Sequence, residues 1–87
     1  GWKSTVQTDA KNAHTAVNAY IVDYPNAAYT SIDDTINPGA AGTVVTGARA
    51  SAGNTITIVD GVVTVTNDNL TTYAIEIDRN GNQTVTP

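Results

Sequence analysis

An Asp-Gly pair at 60–61 separates two runs of alternating residues and dictates how that part of the chain folds. Asn54 to Val59 leads into it and Val62 to Thr66 leads out. A two-residue hairpin turn of type I′ needs positive φ at both central positions, and Asp-Gly tolerates that conformation. Closing the chain there pairs Val59 with Val62, Ile58 with Val63, Thr57 with Thr64, Ile56 with Val65 and Thr55 with Thr66. Ile56, Ile58, Val63 and Val65 then share one face, and the threonines share the other. A slip of one residue would mix the two sets, so turn and pattern specify the same register.

Tyr73 to Asp78 alternates again, with Tyr73, Ile75 and Ile77 on one side. The turn after it has two readings. A two-residue loop at Asn80-Gly81 pairs Val85 with Glu76. A three-residue loop of Arg79, Asn80 and Gly81, with Gly81 left-handed in a bulge, pairs Val85 with Ile75, and burial favours this one. Residues 54–87 therefore read as an antiparallel sheet of three or four strands with one apolar face to cover.

The cover is supplied by residues 1–24. Trp2, Val6, Ala10, Ala13, Val17, Tyr20 and Tyr24, with Ile21 beside them, recur at helical spacing, while Lys3, Gln7, Lys11, Asn12, His14, Thr15 and Asn18 lie between. Pro25 ends the helix by disfavouring helical geometry at Tyr24. The stripe is uneven, alanine at its centre and bulky at Val17, Tyr20, Ile21 and Tyr24. The bulky end is expected to meet Ile56, Ile58, Val63, Val65, Ile75 and Ile77 in the core. Residues 25–53 read as a long connection punctuated by Pro25, Pro38, Gly39, Gly42, Gly47 and Gly53, with only Val44 and Val45 strand-like. The whole is one α+β domain.

Bulk properties narrow the chemistry. With no cysteine, neither a disulfide nor a thiolate metal site is possible. Four scattered cations against a net charge of -4 do not form the basic stripe that nucleic acid requires. Charged residues make up only 14%, below the ~25% usual in soluble domains, and threonine, asparagine, alanine and valine dominate. That composition leans towards an exported protein. Nothing in the chain reads as a signal peptide or a membrane span.

Catalytic candidates are weak. His14, the only histidine, has Lys11 and Asn18 as helical neighbours and no carboxylate to orient it. Ser4, Ser31 and Ser51 have no nucleophile context, and Asp33-Asp34 reads as a solvated turn. Asp78, Asn80 and Asn82 match the first three ligand positions of a calcium loop, but Gln83 occupies the sixth, where glycine belongs. Turn chemistry accounts for the same residues. Asn69-Leu70-Thr71 and Asn82-Gln83-Thr84 match the short glycosylation sequon. Tyr20, Tyr24 and Tyr29 read as packing residues before they read as a ligand platform. No cofactor is expected.

The run Thr8-Asp9-Ala10-Lys11-Asn12-Ala13-His14-Thr15-Ala16-Val17-Asn18-Ala19-Tyr20, followed by Asp23-Tyr24-Pro25, resembles the exposed half of the long first helix of bacterial type IV pilins. The C-terminal Gly81-Asn82-Gln83-Thr84-Val85-Thr86-Pro87 is similar to the end of the family's sheet. The helix match covers about a quarter of the chain. The family's apolar N-terminal segment would lie upstream of Trp2, and its common C-terminal cysteine pair is missing. The resemblance implies a non-enzymatic filament subunit at the cell surface, active in attachment or motility. Its partners would be further copies of itself in a helical filament, and the precursor would be anchored in the inner membrane by the upstream helix. A type II secretion pseudopilin and a free-standing surface ligand-binding module are the alternatives. On this reading Trp2, Val6, Ala10 and Ala13 are the assembly interface, partly bare in a single chain, and their burial within one chain would count against it.

Overall fold

The Asp60-Gly61 turn closes as its residue types require, with φ of 51° and 78° at the two positions. In the computed structural model, which describes residues 1–87, the flanking strands are β2 (Asn54–Val59) and β3 (Val62–Asn67). They pair in the expected register, Ile58 opposite Val63 and Ile56 opposite Val65, extended by Asn54 opposite Asn67. Strand β4 (Leu70–Ile77) pairs with β3, and β5 (Gln83–Thr86) pairs with β4. The second turn takes the three-residue form: Gly81 has φ of 88° and Val85 lies opposite Ile75.

The sheet has five strands, not three or four, in the order β1-β2-β3-β4-β5, every neighbour antiparallel. The unforeseen member is β1 (Asp34–Ile36), contributed by the long connection and paired with β2 so that Ile36 faces Ile56. Val44 and Val45, the expected strand-like pair, lie instead in a bend. That connection is not a surface loop throughout. It holds a short 3-10 turn (Tyr29–Ser31) and places Ile32, Ile36, Val45, Ala48 and Ala50 in the core.

Registers align one apolar row across the sheet: Ile36, Ile56, Val65, Ile75 and Val85. The first four are buried, while Val85 is 45% exposed. Helix α1 (Trp2–Asp23) packs over β2, β3 and β4, and β5, exposed along its whole length, remains an uncovered edge. The inward parity that selected the Val85–Ile75 pairing is right, but the covering layer does not reach it.

The largest correction concerns which part of α1 meets the sheet. Val6, Ala10 and Ala13, expected as a neighbour-facing interface, are fully buried in this chain's own core, together with Val17. At the other end Tyr20 and Ile21 are half-buried, and Tyr24, expected in the core, is 58% exposed. Two lengths explain the arrangement. A 22-residue helix spans about 33 Å and a six-residue strand about 20 Å, so one end must overhang. The alanine end can lie close to the strands, whereas the tyrosine end would be held away by its own bulk. Ile56, Ile58, Val63, Val65, Ile75 and Ile77 are all buried beneath the helix.

Ala13→Leu should therefore destabilise by about 1–3 kcal/mol through overpacking, whereas Val22→Ala at the overhang should change stability by no more than about 0.5 kcal/mol. Urea unfolding of the two variants checks this, and the reverse order would indicate that the bulky end is the packed one.

Candidate functional site

Asp9 projects from the buried face of α1 between Val6 and Ala13 and is only 4% exposed. Its carboxylate accepts hydrogen bonds from the Ser51 amide at 2.7 Å, the Ser51 hydroxyl at 2.9 Å and the Asn54 side chain at 2.7 Å. Asn67 Nδ2 donates in turn to Asn54 Oδ1 at 2.7 Å, and the Asn69 amide donates to Asn67 Oδ1 at 2.8 Å. Helix, connection and both strands of the first hairpin thus meet at one carboxylate. The Ser51–Asp9 contact is a structural bond: the hydroxyl donates to Oδ1 while the Ser51 amide and the Asn54 side chain donate to Oδ2, and no imidazole intervenes. Sequence reading missed this cluster, although a signal existed. Asp9 falls on the helical stripe, and Asn54 and Asn67 share the parity of the inward-facing residues on their strands.

A second carboxylate shapes the connection. Asp34 accepts from the Val44 amide at 3.0 Å, the Val45 amide at 3.1 Å and the Thr43 hydroxyl at 3.2 Å. Gly42 completes the bend, since a Cβ there would sit 2.1 Å from the Val45 carbonyl oxygen. Burial by itself would raise the Asp34 carboxyl, but the hydrogen bonds from Val44, Val45 and Thr43 outweigh it and hold it below its ordinary value of 3.8. The neighbouring Asp33 accepts from the Asp60 amide at 2.9 Å. The two adjacent acids therefore serve different turns and do not form a carboxylate pair.

The bend at 43–47 and the overhanging end of α1 enclose an open groove of about 550 Å³, lined among others by Ala16, Ala19, Tyr20, Tyr24, Val44 and Gly47. Tyr20 and Tyr24 pack with ring centroids 4.7 Å apart and planes tilted by 38°. Val44 in the groove wall is 39% exposed; elsewhere on α1 Val22 is 77% exposed, and Trp2 at the far end of the helix 54%. Aromatic and small residues, the Thr43 and Thr46 hydroxyls and one carboxylate, Asp23, line this groove, a composition in keeping with a contact surface.

Asp78 Oδ1 accepts from the amides of Asn80 and Asn82, each at 2.9 Å, so this carboxylate holds its own turn closed. The Asn82 amide above all, with Asn80 and Gly81, pulls the Asp78 carboxyl below 3.8. No cluster of three or more histidine, cysteine or acidic side chains suited to a metal exists in the structure. His14 is half-buried, not exposed: its Nε2 lies 3.3 Å from Asn18 Nδ2, and its buried Nδ1 has no partner within the chain. Both sequon asparagines, Asn69 and Asn82, are exposed at turns.

The fold defines the chain as an α+β domain, one helix on a five-stranded antiparallel meander. No family model matches it, and neither the curated proteins nor the solved structures contain a significant match.

The Asp34 linkage has a definite sign. A carboxyl whose folded value is depressed adds stability that is complete above its unfolded value of 3.8 and is lost as pH falls through the lower folded value. The urea midpoint should therefore be insensitive to Asp34 from neutral pH down to about 5 and fall at more acid pH. Asp34→Asn should lower the neutral midpoint and flatten the acid limb. An unchanged acid limb would show that Asp34 is not a source of the pH dependence.

Proposed function

We propose that this domain is the exposed head of a type IV pilin-like filament subunit and that it acts by repeated self-association, not by catalysis. One conjunction carries the reading. The pilin-like helical run from Thr8 to Tyr20, closed by Asp23-Tyr24-Pro25, is followed by a structured connection and then an antiparallel meander. A hydroxyl-rich composition with few charges and an open groove lined by aromatic and small residues are in keeping with a structural subunit.

The burial of Val6, Ala10 and Ala13 in the chain's own core counts against the assembly reading, which assigned them to neighbour contacts; the pilin-like run of α1 is what still supports it. In the revised form, neighbouring copies contact Trp2 at one end of α1 and the Tyr20–Tyr24 groove with Val22 and Val44 at the other. Contacts between unlike surfaces need not close into a ring, and repeated without closure they generate a helical filament. The membrane step would belong to sequence upstream, since no helix here is long and apolar enough to cross a membrane. The protein would then reside at the cell surface, where attachment and motility are the fitting roles.

The test uses the complete gene in its own host. Its reading frame should encode about 20 apolar residues before Trp2, and an epitope-tagged chain should be found in filaments sheared from the cell surface. Val22→Asp combined with Tyr24→Ala should leave the isolated domain folded while reducing filament yield. A reading frame without the apolar segment, or a tagged chain confined to the cell interior, would overturn the proposal.

A further inference from the structure

Two dipeptides in this chain, Asp60-Gly61 and Asn80-Gly81, can undergo the same intramolecular reaction. The glycine amide nitrogen attacks the side-chain carbonyl carbon of the preceding residue and forms a five-membered succinimide. Glycine permits this because no Cβ obstructs the approach. From asparagine, the new N–Cγ bond forms as the Cγ–Nδ2 bond breaks and ammonia leaves. One water then opens the ring at either carbonyl, giving aspartate or an isoaspartate whose main chain is longer by one carbon.

The structure distinguishes the two sites. Gly61 is buried, its amide donates to the Ile32 carbonyl at 3.1 Å, and a Cβ on it would lie 2.5 Å from the Tyr29 ring. The Arg79 guanidinium stacks over the outer face of that region, 5.0 Å from the Tyr29 ring centroid, and its Nε donates to the Asp60 carbonyl at 2.7 Å. That turn has no freedom to bring its carboxyl to the Gly61 nitrogen. Asn80 and Gly81 are both exposed in the loop that joins β4 to the uncovered edge strand β5. Only Asp78 restrains them. Its carboxylate accepts from the Asn80 and Asn82 amides, and its carbonyl accepts from the Gly81 amide at 3.0 Å, which occupies the nitrogen that would attack.

We infer that Asn80 is a site of slow self-modification to aspartate and isoaspartate, and that the Asp78 carboxylate sets the rate by closing the turn in which the Asp78 carbonyl holds the Gly81 nitrogen. Reaction proceeds from the fraction of molecules in which this turn has opened locally. Isoaspartate lengthens a three-residue turn whose register depends on its length, so the modified chain loosens β5 from β4 and leaves the rest of the sheet intact. This inference does not depend on the filament reading.

The experiment incubates the full chain at mildly alkaline pH and maps the products by peptide mass spectrometry with an enzymatic isoaspartate assay. Asn80 should convert before any other asparagine, with Asp60 unchanged. Asp78→Ala, checked for folding by circular dichroism, keeps the carbonyl that holds the Gly81 amide but removes the carboxylate that ties the Asn80 and Asn82 amides. The turn then opens more often, and conversion should be at least about tenfold faster, the factor for loss of a hydrogen bond to a charged acceptor. The wild type unfolded in urea should convert at least as fast as that variant. Equal rates in folded wild type and Asp78→Ala, or in folded and urea-unfolded wild type, would overturn the inference, as would isomerisation at Asp60 ahead of Asn80. If Asp78→Ala folds poorly, the comparison with and without urea still decides.

Discussion

The Asp9 carboxylate, buried without a cation, is the constraint on which the rest of this structure depends. An isolated charge of this kind costs several kcal/mol to bury unless hydrogen bonds satisfy it. Here three donor groups on two residues supply them: the main chain and hydroxyl of Ser51, and the Asn54 side-chain amide that Asn67 positions. They converge only when α1 has one rotation about its axis and one height above the sheet. That placement turns Val6, Ala10, Ala13 and Val17 inward and lets the alanines approach the strands closely. It also leaves the helix end from Tyr20 onward beyond the sheet, where it forms the groove with residues 43–47.

The same device recurs. Of the eight acidic residues, four accept main-chain amides of other segments or of their own turn: Asp9, Asp33, Asp34 and Asp78. In a chain without cysteine, short carboxylate clamps do the positioning that disulfides do in many small exported domains. The negative balance of the sequence is thus largely structural in origin. At Asp34 and Asp78, whose carboxyls are held below their ordinary value, the clamp has the further property that acid releases it, which a covalent staple does not share.

What could be read from the residues alone was what local chemistry determines. The hairpin at Asp60-Gly61 and the bulged turn at Gly81 were legible to the exact pair, because turn type and inward parity each specify register and the two agreed. The helix and its end before Pro25 were equally legible from spacing. Strand β1 was not, because Asp34–Ile36 is too short to alternate visibly and exists by pairing with β2. The direction of helix packing was misjudged because side-chain bulk was taken as the mark of burial. Close approach at Ala10 and Ala13, together with the polar clamp at Asp9, decided it instead. The calcium-like spacing at Asp78, Asn80 and Asn82 was real as a pattern, but its carboxylate closes a turn. The groove could not be foreseen, since it arises where an overhanging helix meets a bend held by Asp34, and neither feature is local in sequence.

Amide hydrogen exchange at Ser51 tests the central role of Asp9 most directly. Ser51 lies outside any regular strand or helix, and its amide is tied down only by Asp9 Oδ2. It should exchange as slowly as the amides of the β2–β3 ladder, and Asp9→Asn should speed it by orders of magnitude more than it speeds exchange at the Asp60-Gly61 end of the hairpin. A Ser51 amide that exchanges at the rate of an open loop in the wild type would contradict the claim that this carboxylate locks helix to sheet.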